Sequence, residues 1–263
     1  DNNSTDSTKA IIKEYPVEYR FEEKINQPAA LNNGIKASKG EIIAITDCDC
    51  VVDPDWIKEL VAAFEEDEKI SGCGGCIKPL NPATLIEIYT ALSMYGVEKM
   101  AISGEIYTFP FIIGCNCAYL RDVLFEIRLC DEDMLGAQDR DLGIRVSLKG
   151  HHFKYAGKAI VFHKYRSRLK DVLIQRFNYG YCLALVNKKH ASIIEKKYKK
   201  ISNEFKRFFI LIYSAAWEFL KIICAKDRRF SLKQFNYFVF HAILRAAFIL
   251  GLIWPKLSKK WIN

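Results

Sequence analysis

Two aspartates stand one residue apart in Thr46-Asp47-Cys48-Asp49-Cys50, directly after the apolar run EIIAIT (41–46). A carboxylate pair at i and i+2 on an extended chain points to one side, where like charges repel unless a cation lies near them. A hard divalent ion carrying a phosphate-bearing ligand meets that need. A pair of solvated turn acids meets it as well. A second acidic cluster, Gln138-Asp139-Arg140-Asp141, opens a helical stretch whose positive end stabilises ionised carboxylates. Asp139 is then either a general base for a hydroxyl proton or a helix cap. His163, closing AIVFH (159–163), is either a ligand or a structural residue at a strand end. Asp53-Pro54-Asp55-Trp56 reads as helix entry, with Asp53 as the N-cap.

These residues need a scaffold, and the periodicity predicts one. EIIAIT is a buried strand, 54–67 a helix, KISGCGGCIKP (69–79) a strand and 81–100 a helix. FIIGCNCAYL (111–120) is strand-like, 139–149 is a short helix ended by Gly150, and 159–163 is a last strand. Strand and helix alternating in this way predict an α/β sheet with helices on its faces. In such a sheet ligands gather at the carboxyl ends of the strands, which is where Asp47 and Asp49 lie.

Beyond Tyr165 the pattern turns helical, with segments expected over 168–190, 192–224 and 231–251. Charge divides at the same place. Residues 1–163 hold 17 Lys+Arg against 26 Asp+Glu, net −9, and residues 164–263 hold 22 against 5, net +17, giving the chain its +8. Arg207, Ser214, Glu218 and Lys221 fall on one polar stripe of an otherwise apolar helix, and His241 and Arg245 lie one turn apart on another. Neither segment has 18 uncharged apolar residues in a row, so a spanning helix is not demanded. Basic clusters beside aromatic-rich apolar helices suit the interface of an anionic leaflet; the alternative is a helical subdomain packed on the α/β body. The aromatics gather in apolar runs and do not interleave with Lys and Arg, so nucleic acid is not among the expected partners.

Nine cysteines in a chain opening on the polar DNNSTDST point to a reduced, cytosol-facing compartment over a disulfide framework. The pairs Cys48/Cys50, Cys73/Cys76 and Cys115/Cys117 have spacings that a zinc or iron–sulfur site could use. Two of them lie in strand-like runs, where alternation sends both thiols to one buried face, and small core residues are the expectation.

The order of motifs resembles the inverting family 2 glycosyltransferases, which have the GT-A fold. The motifs are DNNSTDST, ALNNGIKASKGEIIAITDCDCVVDPDWI, GCNCAYLRDVLFE, CDEDMLGAQDRDLGIRVSLKG and VFH, and the resemblance covers residues 1–190. It implies a GT-A domain over 1–165, and the basic and apolar pattern beyond it makes 166–263 a helical, membrane-associated region. Asp1 matches the acid that meets the donor's nucleobase, Asp47 the first Asp of the DxD motif, near the ribose, and Asp49 the ligand of a divalent cation (Mg²⁺ or Mn²⁺) on the diphosphate. Asn32 falls in the donor pocket, Asp139 matches the base for the acceptor hydroxyl, and His163 a position near the metal. Arg176, in QRFNYGY (175–181), loosely matches a motif that closes over the diphosphate.

The resemblance thus implies transfer of a sugar, with inversion, from a nucleotide-sugar to a glycan or lipid-linked acceptor at the cytoplasmic face of the cell membrane. Leu31 stands where relatives carry Arg, and Gln138 where a Glu usually precedes the catalytic Asp. Relatives also have a strand, helix and strand before the position of Asp1, so the expectation is a portion of a longer protein. These departures keep a second reading open, a catalytically incomplete module that binds membrane or a partner.

Overall fold

The computed structural model describes residues 1–104, 109–134, 136–194, 208–210, 212–213 and 228–258. Their elements in chain order are α1 (Thr8–Ile12), α2 (Gln27–Ala37), β1 (Ile42–Thr46), β2 (Cys50–Val52), α3 (Trp56–Glu66), β3 (Ile70–Pro79), α4 (Leu85–Met94), α5 (Val97–Ser103), β4 (Asn116–Leu120), α6 (Arg121–Glu126), α7 (Gln138–Leu148), β5 (His152–His163), α8 (Leu169–Lys189), α9 (Ala191–Ile194) and α10 (Arg228–Ser258). They form two compact units, residues 1–78 with 96–163, and residues 79–95 with 164–263.

The first unit is built on one five-stranded sheet in the order β1-β4-β3-β5-β2. The expected α/β sheet flanked by helices is present. The ladders β1–β4, β3–β4 and β2–β5 are antiparallel. Alternation along the strands feeds two cores. Ile43, Cys117 and Tyr119 face one with Ile35, Leu124, Leu142 and Val146, while Ala118 and Cys73 face the other with Trp56, Leu60 and Val161. Helix α2 starts where the Asn26 side chain accepts from the Ala29 N–H at 2.8 Å, with Pro28 in its first turn.

A single polar side chain joins the strands where the two cores meet. Asn116, 1% exposed, donates from Nδ2 to the Cys76 and Ala159 carbonyls at 3.0 and 2.9 Å, and its Oδ1 accepts the Trp56 indole N–H at 2.8 Å. Strands β3, β4 and β5 and helix α3 therefore share one fully engaged amide.

In the second unit, α8, α10 and α4 pack together, with Val172, Phe240 and Leu244 buried against Ile86, Tyr89 and Leu173. Helices α8 and α10 cross closely. A methyl group on Gly180 would strike the Phe248 carbonyl, and one on Gly251 the Phe177 carbonyl, so neither position accepts a side chain. Helix α4 begins with a capping box, in which Glu87 accepts from the Ala83 and Thr84 N–H groups at 2.9 and 2.8 Å. Glu87 is 2% exposed and pairs with Lys164 at 3.0 Å. The Lys164 ammonium and those amides hold its carboxyl down at about 2.

Several expectations are corrected. The helix expected over 81–100 is two, α4 and α5, separated at Tyr95 and at Gly96 with φ +71°. Cys48 and Asp49 leave the strand in a turn that returns the chain as β2, so the two thiols of that pair are not core: Cys48 is exposed and Cys50 half-buried. Cys73, Cys115 and Cys117 are buried as expected, while Cys76 is only half-buried. Asp55 is the residue that precedes α3, while Asp53 accepts from the Asp55 N–H at 3.1 Å. The 192–224 segment and its Arg207–Lys221 stripe lie almost wholly outside the described residues. Helix α10 contains Asn236–Pro255, mean hydropathy 1.8, which is long and apolar enough to cross a membrane despite Arg245.

Replacing Asn116 by Leu keeps the volume but strands the Trp56 N–H and two carbonyls. Denaturant unfolding should show a loss of about 3 kcal/mol or more, and near-wild-type stability would show that water satisfies these groups.

Candidate functional site

The carboxyl end of β1 is held by Thr46, whose hydroxyl donates to the Cys115 carbonyl at 2.9 Å. The chain then turns, with the Cys50 N–H on the Asp47 carbonyl at 3.1 Å. This turn, not an extended strand, is what sets Asp47 and Asp49 side by side. Strand β2 follows, and its first residue, Cys50, is the register partner of His163 at the end of β5. Residues directly opposite in a ladder share a face, so the end of β5 is delivered beside Asp49. His163 Nε2 lies 3.5 Å from Asp49 Oδ1, and the ligand atoms of Asp49, Cys50 and His163 all fall within 4.8 Å of one another.

Asp139 reaches the same place from the first turn of α7. Two features fix that helix. Asp141, buried, accepts from Arg145 Nε at 2.8 Å, and Arg145 also donates to the Ile127 and Leu129 carbonyls at 2.5 and 2.7 Å. Gly143 lets the helix lie on Pro110 and Phe111, where any side chain would meet the Phe111 backbone and Cβ. The Arg140 guanidinium lies 5.2 Å from the Phe111 ring centre.

The electrostatics show how tightly these groups are gathered. Burial pushes the Asp47 carboxyl up, and the charges of Asp49 and Asp139 push it further, while His163 pulls it down. Burial also raises Asp139, against the Arg140 charge and the backbone N–H groups of Arg140 and Gly114. A cation among Asp47, Asp49 and Asp139 would reverse the repulsion, and the oxygen and imidazole donors of Asp49 and His163 suit a divalent ion.

Asp47, Asp49, Asp139 and His163 are thus brought together. Asp1 lies elsewhere in the same unit, at a pocket of about 280 Å³ lined also by Tyr19, Arg20, Asn33 and Ser38. The Asp1 carboxylate accepts from the Tyr19 hydroxyl at 2.6 Å and from the Ser4 N–H at 3.0 Å. Asn32 is 4% exposed, with Oδ1 accepting the Cys130 N–H at 2.9 Å and Nδ2 donating to the Cys130 carbonyl at 2.9 Å and to Glu132 at 3.1 Å. Its amide ties α2 to the 130–132 segment. Arg176 belongs to the second unit, where it donates to the Ser93 hydroxyl at 3.1 Å and lies 5.9 Å from the Tyr179 ring centre.

Sequence reasoning missed Gln27. Its Nε2 lies 3.5 Å from Asp47 Oδ1 and its Oε1 accepts from Gln138 Nε2 at 2.9 Å, linking the first turns of α2 and α7 to the acidic turn. No local pattern marks a glutamine at a helix start as such a link. It missed Cys50 as a neighbour of His163 for the same reason, since only the ladder register joins them.

Residues 1–128 match the profile of glycosyl transferase family 2, a stretch that holds Asp1, Asn32, Asp47 and Asp49 and ends before Asp139 and His163. A Bacillus subtilis protein named as a probable glycosyltransferase, YdaM, is 27% identical over 175 residues, 62% of this chain and 41% of the relative. The glucosyl-dolichyl phosphate glucuronosyltransferase of Haloferax volcanii is 23% identical over 244 residues, 88% of this chain and 76% of the relative. A Methanococcus voltae dolichyl N-acetyl-alpha-D-glucosaminyl phosphate 3-beta-D-2,3-diacetamido-2,3-dideoxy-beta-D-glucuronosyltransferase is 26% identical over 218 residues, 72% and 63% of the two chains. The chain thus spans less than two thirds of the first and third of these. The mannosyltransferase of Pyrobaculum calidifontis, determined with GDP-Man and Mn²⁺, superposes with a TM-score of 0.62 at 16% identity, over 97% of this chain and 76% of that one. The fold is GT-A-like.

Carbon-13 NMR titration of the aspartate carboxyls should find Asp47 and Asp139 above the ordinary range. His163→Ala should raise Asp47 further and Asp49→Asn should lower it. Unshifted carboxyls, or no response to either variant, would show that the four groups do not share one field.

Proposed function

We propose that this chain, whose residues 1–128 match the profile of glycosyl transferase family 2, is a member of that family and moves a sugar from a nucleotide-sugar donor to a glycan or lipid-linked acceptor with inversion. The observation that carries the reading is the convergence of Asp47, Asp49, Asp139 and His163 at the strand ends of one sheet. The dolichyl phosphate acceptors in the names of two relatives favour a lipid-linked acceptor.

In this reading Asp49 and His163 hold a divalent cation, Mg²⁺ or Mn²⁺, which when bound neutralises the leaving diphosphate and acts as a Lewis acid. Asp139 takes the proton of the acceptor hydroxyl while the hydroxyl oxygen bonds to the anomeric carbon. The bond from that carbon to the diphosphate oxygen breaks on the opposite face, so configuration inverts. Burial of Asp139 suits this role, because a base of raised pKa is a stronger proton acceptor near neutrality. Asp47 orients the ribose and Gln27 holds Asp47. Asp1 and its pocket receive the nucleobase, and Asn32 shapes that side of the donor site by fixing α2 to residues 130–132.

Residues 1–165 form the transfer domain in this proposal. Residues 166–263, with net charge +16 and the apolar stretch Asn236–Pro255, hold the protein at the anionic cytoplasmic face of the cell membrane.

Thermal denaturation with UDP, GDP, dTDP and CDP, with and without Mn²⁺, tests the donor site. One nucleotide should raise the melting temperature only with metal, and chelation should abolish the rise. Asp139→Asn should cut kcat on the order of a thousandfold, with the nucleotide-induced shift retained. Turnover should fall as pH drops through the raised Asp139 pKa, because the protonated carboxyl is no longer a base. No shift with any nucleotide, from a folded sample, would sink the reading for this chain.

A further inference from the structure

The ladder puts a thiol where the proposed cation site needs only oxygen and nitrogen. Cys50 is the register partner of His163 and the chain neighbour of Asp49, and its Sγ lies 3.7 Å from Asp49 Oδ1. Asp49, Cys50 and His163 each offer one ligand atom within 4.8 Å of the others. One carboxylate, one imidazole and one thiolate are the donor types of a zinc centre, and they leave a fourth position open. Sulfur is a soft donor that Mg²⁺ does not favour and that Zn²⁺, Cd²⁺ and Co²⁺ bind well.

The buried Cys115 thiol lies near this sulfur, and Cys50 and burial together push it up, so it stays protonated. Cys115 is in turn anchored through its carbonyl, which accepts from Thr46. Cys50 is half-buried, so an ion reaches it from the same side as Asp49.

Resting on the reading that Asp49 and His163 hold the cation, we infer that Cys50 is a third protein ligand, and that this centre takes thiophilic divalent ions in preference to Mg²⁺. Binding forms a metal–sulfur bond and releases the Cys50 thiol proton to solvent, with no change of oxidation state. Zinc held by three protein ligands then competes with the hard ion that the transfer reaction uses, and it inhibits by occupying the centre.

Cobalt titration of the full chain tests this. The chain and its Cys48→Ser variant should both show a near-ultraviolet sulfur-to-cobalt charge-transfer band together with visible d–d bands. Cys50→Ser, nearly isosteric and checked for folding by near-ultraviolet circular dichroism, should lose the first and keep the second. Its Zn²⁺ affinity, measured by competition with Mn²⁺, should fall by about tenfold or more. Visible d–d bands that need Asp49 and His163 but come without a sulfur band would overturn the inference and leave the Asp49–His163 centre standing. A sulfur band lost in Cys48→Ser but kept in Cys50→Ser would overturn it by naming the wrong thiol. No cobalt binding at all would overturn both readings.

Discussion

The amide of Asn116 is the polar joint of the first unit. A buried carboxamide costs free energy unless it is satisfied, and this one satisfies a Trp56 indole and two strand carbonyls at once. Its position makes the bonds consequential. Asn116 is the first residue of β4 and the register partner of Thr46, the last residue of β1 before the acidic turn. The carbonyl it takes from Ala159 lies four residues before His163 on β5. Where the two site-bearing strand ends lie relative to each other is thus decided within a few residues of one side chain. The motif Cys115-Asn116-Cys117 reads as a curious thiol pair until the structure shows that the residue between them is the joint.

On that frame the site concentrates negative charge by design of position. Asp47 is pushed up by burial and by the charges of Asp49 and Asp139, against His163, while Asp139 is pushed up by burial against the Arg140 charge and backbone amides. Such an arrangement is destabilising for the protein alone, and a cation among these carboxylates would relieve it. The buried Asp141–Arg145 pair, two residues from Asp139, behaves differently: its charges are matched and its hydrogen bonds are spent on the 127–129 carbonyls. Neighbouring acids on one helix turn therefore divide the labour, Asp139 facing the site and Asp141 holding the helix.

The second unit follows other rules. Its helices meet through glycine, with Gly180 and Gly251 admitting opposing backbones, and its polar anchor is the Glu87 capping box with Lys164. Such a crossing stabilises by close van der Waals approach, a means that works in water and in lipid alike. The basic balance of residues 164–263 is a property of composition and needs no fold to be read.

Much of the fold was legible locally. The apolar runs marked β1 and β3, the amphipathic spacing marked α3, and the acidic pairs picked out Asp47, Asp49 and Asp139 from residue type and position alone. What was not legible was every feature that depends on register or on a distant partner. The chain leaves β1 in a turn and returns as β2, which brings Cys50 opposite His163, more than a hundred residues away in sequence. Gln27 joins the site from a helix start that carries no mark of it, and Asn32 is spent on the Cys130 backbone. Local patterns report the period and polarity of an element, so they identify which residues are chemically able. Which of them share a field is settled by long-range pairing and burial, and these exist only once the sheet has formed.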